Sequence, residues 1–507
     1  MSTAAAFQDL PSLVSQHAQA RPEATALRLG SESLSYGGLH QRMDRVAATL
    51  QQQGLGPGSV VAVCATASLD YVAVFLGALR AGLAVAPLAP GATNAQLADM
   101  ARDADAHTVF LDRATAALAV PWPDASAPVL LDDGGLEAWL LPAGARPLPL
   151  AIDPAWPFNI IYSSGTTGTP KGIVQPHAMR WAHFQRAALS GYDADTVTMI
   201  ATPLYSNTTL VCLLPTLAYG GCAVLCPKFD TLQYLQLAQR HRATHTMLVP
   251  VQYRRLMAHP DFDTFDLRAF RFKFSTSAPF HAELKADIVR RWPGALVEYY
   301  GLTEGGGTCI LQAHLHPTKL HTVGQPAEGH DIRLIDEDGR EVARGESGEV
   351  VGRSPGMMTG YHKQPALSAA AEWFDGQGQR YIRTGDVGRF DDDGVVTLHD
   401  RRKDMIISGG FNIYPSDLEA VLRGHADVAD VAVVGVPSAE WGETPVAFVV
   451  LRDGAASAAS AAEMLRAWAN AQVGKTQRLS ALRLVAELPR SAIGKVLKRE
   501  LREAWIA

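Results

Sequence analysis

Residues 221–249 read Gly221-Cys-Ala-Val-Leu-Cys226, then Pro227-Lys-Phe-Asp230, then Thr231-Leu-Gln-Tyr-Leu-Gln-Leu-Ala-Gln-Arg240, His241-Arg-Ala-Thr244 and His245-Thr-Met-Leu-Val249. The short apolar run Gly221–Cys226 predicts a buried strand, and Leu232–His241 has the apolar spacing of a helix. His245–Val249 predicts a second strand. Strand, helix and strand in this order imply a parallel sheet covered by helices on both faces.

The same rhythm extends outward. Upstream, Gln8–His17 and Tyr36–Gln53 have helical spacing, and Val60–Val63 and Ala84–Pro87 read as buried strands around a helix at Leu69–Ala81. Leu210–Pro227 is apolar and uncharged, but Pro215 and Gly220-Gly221 break it into helix, turn and strand, so it is not a membrane span. Downstream, near residue 320, the character changes. Asp336-Glu-Asp-Gly339 and Asp391-Asp-Asp-Gly394 sit between β-rich runs and predict hairpins. Beyond Arg401 the pattern is mixed again, with a helix at Ser416–Leu422, strands at Val428–Val434 and Val446–Leu451, and a helix at Ala461–Ala471. The expected fold class is α/β: a large N-terminal body over 1–402 with parallel-rich sheets and a β-rich module, then a small mobile α+β domain over 403–507.

The 507 residues carry a formal net charge of -6, and the Lys and Arg are scattered, so no nucleic-acid surface is expected. Five irregularly spaced cysteines make no disulfide framework, and Met1–Val14 is no secretory signal, so a cytoplasmic location is expected. Cys222 and Cys226 with His241 and His245 imitate a zinc-finger spacing. The strand-helix-strand reading places them in packed elements instead. Trp441-Gly-Glu443 reads as packing in the small domain.

Four runs carry chemistry. Tyr162-Ser-Ser-Gly-Thr-Thr-Gly-Thr-Pro-Lys-Gly172 puts glycines and hydroxyls before a single lysine, a composition that suits triphosphate, although it is not a Walker A loop. Glu298-Tyr-Tyr-Gly-Leu-Thr-Glu-Gly-Gly-Gly307 sets the Thr303 hydroxyl beside the Glu304 carboxylate in a glycine-rich turn, and a carboxylate near bound phosphates suits Mg²⁺. Tyr381-Ile-Arg-Thr-Gly-Asp386 with Asp400-Arg-Arg-Lys-Asp404 offers an Asp and an Arg for a ribose. Pro489-Arg-Ser-Ala-Ile-Gly-Lys-Val-Leu-Lys-Arg-Glu500 places Lys495 after a glycine in a basic, helix-starting tail. Taken singly, each run has a plain structural reading: a surface loop, a turn, an Asx cap, a solvated helix.

Together, in this order, the four runs resemble the adenylate-forming superfamily of acyl-CoA synthetases, adenylation domains and luciferases, over almost the whole chain. The resemblance implies a carboxylic acid–CoA ligase with ATP, Mg²⁺ and coenzyme A as its small-molecule partners. It implies that Ser163, Ser164, Gly165, Thr166, Thr167, Gly168 and Lys171 hold the β- and γ-phosphates. Thr303 would touch the α-phosphate and Glu304 would bind the metal. Ser277, Ala278 and Pro279 would lie along the adenine with Tyr299, Tyr300 and Gly301, although Ser275-Thr-Ser277 departs from the usual Gly-Gly or Gly-Ala. Asp386 would grip the ribose, assisted by Arg401. Lys495 would be the catalytic lysine, Lys403 the hinge, and Gly409 with Gly410 would lie against the pantetheine arm. The acid pocket would include Tyr205, Ser206, Asn207, Val249, Gln252, Thr276, Gly305 and Gly306. Ser206 departs from the family's bulkier residue, and the glycines at 305–307 leave room for a bulky or ring-bearing acid; a medium-chain fatty acid fits equally. A carrier-protein thiol as acceptor and a homodimer are alternatives the sequence leaves open, whereas intact Lys171, Glu304, Asp386 and Lys495 argue against a non-enzymatic nucleotide-binding scaffold.

Overall fold

The computed structural model describes residues 6–123, 128–163, 171–401, 404–408, 411–438, 441–452, 459–474, 477–491 and 494–506. The chain divides into two compact units. One comprises Met1–Leu320, Ala327–Asp331 and Gly352–Ile382, the other His321–Pro326, Ile332–Val351 and Arg383–Ala507.

The first unit holds two large sheets. In one, the strands Cys222–Leu225 and His245–Leu248 both pair in parallel with Val197–Ile200, which lies between them. Outward from His245–Leu248 come Phe272–Ser275 and Ala295–Leu302, also parallel, then Gly305–Gln312 antiparallel. The connecting helix Thr231–Arg240 starts where Asp230 accepts from Gln233 N at 2.8 Å, a side-chain N-cap. In the other sheet Val60–Cys64 lies between Ala84–Pro87 and Ala106–Leu111, all parallel, and all five of its residues are buried. Fully buried strands need apolar residues on both faces, and Val-Val-Ala-Val-Cys supplies them. Pro157–Ser163 continues this sheet beside Ala84–Pro87 and pairs antiparallel with Lys171–Pro176, which pairs in turn with Gly360–Tyr361.

The helices form as their spacing predicts. Tyr36–Gln52 is capped by Ser35, and Leu69–Arg80 by Ser68. The apolar stretch from 210 resolves into the helix Asn207–Ala218, with Pro215 inside it, and the strand Cys222–Leu225. Among the described residues no helix is long and apolar enough to cross a membrane. His245 has both ring nitrogens bonded within the protein, to Thr244 Oγ1 at 2.8 Å and the Ser190 carbonyl at 2.9 Å.

In the second unit, Asp391–Gly394 turns a hairpin whose register sets Phe390 opposite Val396. Its α+β part has Val428–Ser438 and Gly442–Leu451 as a long antiparallel pair, with Ala481–Leu484 parallel to the latter. The helices Pro415–Arg423 and Ala459–Asn470 pack on this sheet through Leu418, Leu422 and Leu465. One expectation is corrected here. Trp441 is 52% exposed and is no packing residue, whereas Glu443 does bind structure, accepting from Ile407 N at 3.0 Å.

Candidate active site

The two most informative runs are both connections of antiparallel hairpins. Residues 164–170 join Pro157–Ser163 to Lys171–Pro176, and Thr303-Glu304 join Ala295–Leu302 to Gly305–Gln312. Ser164, Gly165, Thr166, Thr167 and Gly168 lie outside the described residues, as do Lys403, Gly409 and Gly410. Ser163 and Arg401 are described as strand residues only.

Polar side chains tie the two hairpins together. Gln175 donates from Nε2 to the Thr303 carbonyl at 2.6 Å, and its Oε1 accepts from Asn159 Nδ2 at 2.9 Å. Asn159 Oδ1 in turn accepts from Arg180 Nη2 at 2.8 Å and from Nε at 3.1 Å. Arg180 also donates to Gln175 Oε1. Asn159, Gln175 and Arg180 are all buried, so the network fixes where Thr303 stands. None of the three is in a motif. The available signal was a lone Asn inside the apolar strand Phe158–Ile161.

Glu304 has a partner that sequence reasoning missed. Tyr361 donates its hydroxyl to Glu304 Oε1 at 2.8 Å, and Lys171 Nζ lies 5.8 Å from the centre of the same ring. Burial, and then the Glu304 charge, hold the Tyr361 hydroxyl well above its ordinary range, so it stays a donor. The structure thus brings Lys171 and Glu304 to one tyrosine. Met358 N donates to the Glu304 carbonyl at 2.8 Å and holds the turn from below. A carboxylate beside a hydroxyl is a donor set that suits Mg²⁺, which takes few protein oxygens and shares the rest with phosphate.

Several pocket residues prove to have structural duties. Ser206 is the N-cap of the helix Asn207–Ala218, accepting from Thr208 N at 3.3 Å. Gln252 joins Val249 N, at 3.1 Å, to the Ala201 carbonyl, at 2.8 Å, and so ties two strand ends. Val249 is 2% exposed at the start of the helix Pro250–Met257. The expectation of room at Gly305 and Gly306 is corrected. A Cβ on Gly305 would meet the Gly356 carbonyl at 2.0 Å, and one on Gly306 the Gly352 carbonyl at 2.8 Å; φ is +78° and +82°. These glycines answer to close backbone packing and left-handed conformation. Tyr205, Asn207 and Thr276 are half-buried.

In the expected adenine segment, Ser277 is a non-glycine residue at φ +79°, and its hydroxyl meets Thr208 Oγ1 at 2.6 Å. Ala278 and Pro279 follow it, Pro279 exposed. Tyr299 packs beside Phe274, with ring centres 5.7 Å apart, and against the main apolar core. Tyr300 and Gly301, next in the strand, complete the run.

In the second unit the register sets Asp386 opposite Arg401. Asp386 is not at a turn but within the strand Arg380–Phe390, just after Gly385 at φ +70°. Its amide donates to Thr384 Oγ1 at 3.0 Å, and that hydroxyl donates to the Val350 carbonyl at 2.8 Å. Lys495 stands just ahead of the C-terminal helix, which begins only at Lys498. It is half-buried, and its carbonyl accepts from Ser491 N at 2.8 Å. Arg490, on the approach to this segment, donates to Asp430.

With this geometry in place, comparison with known proteins is decisive. The model of the AMP-binding enzyme matches residues 14–362, and that of the AMP-binding enzyme C-terminal domain matches 417–495. The chain belongs to the AMP-binding enzyme family. Feruloyl-CoA synthase of an Amycolatopsis species is 33% identical over 98% of this chain and 99% of its own length. Indoleacetate–CoA ligase of Aromatoleum aromaticum is 31% identical, covering 98% of both chains. Among solved structures, ATP-bound MatB from Rhodopseudomonas palustris superposes with a TM-score of 0.88 at 28% identity, over 98% of this chain and 99% of that one. This AMP-binding enzyme is thus an adenylate-forming, AMP-forming acid–thiol ligase.

Proposed function

We propose that this enzyme is a carboxylic acid–CoA ligase working in two steps. The acid carboxylate attacks the α-phosphorus of ATP, giving acyl-AMP and pyrophosphate. The CoA thiol then attacks the acyl carbonyl, giving the thioester and releasing AMP. The observation that carries this reading is the meeting of Lys171 and Glu304 at Tyr361, beside a Thr303 fixed by Gln175.

In the first step a carboxylate approaches a phosphate, and both are anions. The attacking group is already a nucleophile, so the protein's task is to offset charge and fix position. Lys171 supplies a cation at the start of its strand. Glu304 would hold Mg²⁺, oriented by the Tyr361 hydroxyl. When bound, Mg²⁺ neutralises the charge that develops on the leaving pyrophosphate. Lys495 brings a second cation to the carboxylate and α-phosphate, Asp386 and Arg401 hold the ribose, and Lys403 is the hinge between the domain of residues 1–402 and that of 403–507. Gly409 and Gly410 line the pantetheine arm in the second step. The two named relatives act on aromatic acids, which favours an aromatic acid over a medium-chain fatty acid here.

Acid-dependent pyrophosphate release across a panel of aromatic and aliphatic acids tests the first step, and thioester formation on adding CoA tests the second. An acyl group transferred to a phosphopantetheinyl carrier but not to free CoA would replace the acceptor. The Lys495→Ala variant should lose about a hundredfold or more in pyrophosphate release, yet retain thioester formation from supplied acyl-adenylate. Equal loss of both steps would refute this division of labour.

A further inference from the structure

One face of the helix His177–Ala188 carries Arg180, His183 and Arg186, three residues apart in succession, so their side chains form one stripe. The stripe runs behind the Thr303-Glu304 turn. Arg180, 1% exposed, reaches the Thr303 carbonyl through Gln175. Arg186 lies 5.5 Å from the centre of the Tyr299 ring, on the strand entering the turn. His330 accepts from Thr308 N at 3.0 Å, on the strand leaving it. His183 flanks Gly356, whose carbonyl packs on Gly305.

Four basic groups therefore converge with no acidic partner. Among the described residues no carboxylate pairs with any of them. Arg180 Nη1 and His183 Nδ1 are buried and have no hydrogen-bond partner. Burial, with the Arg186 charge next in order, pushes the imidazoles of His183 and His330 down, His330 to about 4. Burial also lowers Arg180, to about 9. A buried guanidinium without a counter-charge costs stability that an incoming anion recovers, and a planar guanidinium suits a carboxylate.

We propose that this stripe, with Arg180 and Arg186 at its two ends, is a specificity element of the acid site that receives a second carboxylate, so that the preferred substrate class is a dicarboxylic acid. The second carboxylate would accept from Arg186 and from the free Nη1 of Arg180, while the first is presented at the Thr303-Glu304 turn. An alkyl tail placed there would leave the guanidiniums unpaired. This inference rests on the ligase reading for the reaction, but not for the binding.

The unmodified enzyme tests both. Calorimetric titration would compare adipate with hexanoate, and terephthalate with 4-methylbenzoate, followed by pyrophosphate release with the same four acids. The dicarboxylate of each pair should bind tighter by roughly tenfold or more and should show a matching advantage in kcat/KM. In Arg186→Gln that ratio should fall towards one, and in Arg186→Lys it should be kept in part; a ratio is insensitive to a lowered folded fraction. Equal or tighter binding of the monocarboxylates, or an unchanged ratio in Arg186→Gln, overturns the inference. Pyrophosphate release from the monocarboxylates alone overturns it while leaving the ligase reading intact. Preferential dicarboxylate binding with no pyrophosphate from any acid supports it and sinks the ligase reading.

Discussion

Tyr361 shows how a residue outside every motif can govern one inside it. Glu304 is legible as a candidate metal ligand because it stands in a glycine-rich turn with a hydroxyl beside it. Its orientation is not legible, because Tyr361 is distant in sequence and reaches it only when Gly360–Tyr361 pairs with Lys171–Pro176. A hydrogen bond from a neutral donor to a charged acceptor contributes about 1.5–3 kcal/mol. Tyr361→Phe keeps the ring beside Lys171 and removes only that bond. It should lower kcat/KM for pyrophosphate release by roughly tenfold to a hundredfold and raise the Mg²⁺ concentration needed for half-maximal rate. A variant with wild-type Mg²⁺ dependence would show that Glu304 needs no such orientation. Ser206 and Gln252 teach the converse. The family resemblance suggests them for an acid pocket, yet Ser206 caps a helix and Gln252 ties two strand ends. A polar side chain in a loop has many uses, and sequence alone does not rank them.

At the scale of elements, the strands and helices of the first unit were largely legible. Their apolar runs have the period of the structure they form, and Ser or Asp marks the helix starts. What was not legible is which strands neighbour which. Cys222–Leu225 and His245–Leu248 are joined by one helix, yet Val197–Ile200 lies between them, a choice made by packing across the whole sheet. The turn at Thr303-Glu304 was legible, whereas the shape at Gly385-Asp386 was not, since Asp386 continues a strand. Lys273 is a further case. In the strand Phe272–Ser275 it is 0% exposed, and its Nζ donates to the carbonyls of Trp292, Pro293 and Gly294 at 3.0, 2.7 and 2.6 Å. These three carbonyls follow the helix Ala282–Arg291 and lead into Ala295–Leu302, the strand that enters the Thr303-Glu304 turn. Burial pushes the Lys273 ammonium down to about 7, while the three acceptors and the helix end favour the charged form. Lys273→Met fills the same space and strands the carbonyls. It should cost about 3 kcal/mol or more in urea unfolding, and a loss below about 1 kcal/mol would mean that water replaces the ammonium.

At the scale of the whole molecule, buried histidines set a pH dependence. Burial holds His177 and His245 near 4, as it does His330, with the Arg186 charge adding to the effect at His330. In the unfolded chain each titrates near 6.5, so between those values the unfolded state binds more protons. Stability is then full above about pH 6.5 and is lost as pH falls towards 4, by at most about 3 kcal/mol per histidine. Glu298 acts oppositely. Burial raises it to about 7 against the pull of Lys285, so the folded state binds the extra proton between about 4.5 and 7, and acid favours folding through this one group. His177, His245 and His330, joined by His183, which burial lowers in the same direction, outweigh Glu298 and give a net fall. The urea midpoint should drop steadily from pH 6.5 to 4.5, before ordinary carboxylates begin to titrate strongly. His245→Gln, which can keep a bond to the Ser190 carbonyl without taking up a proton, should lose part of that slope. A midpoint that stayed level or rose across this range would mean that the imidazoles open to water before they charge, and that the interior around the helix His177–Ala188 is less closed than its burial shows.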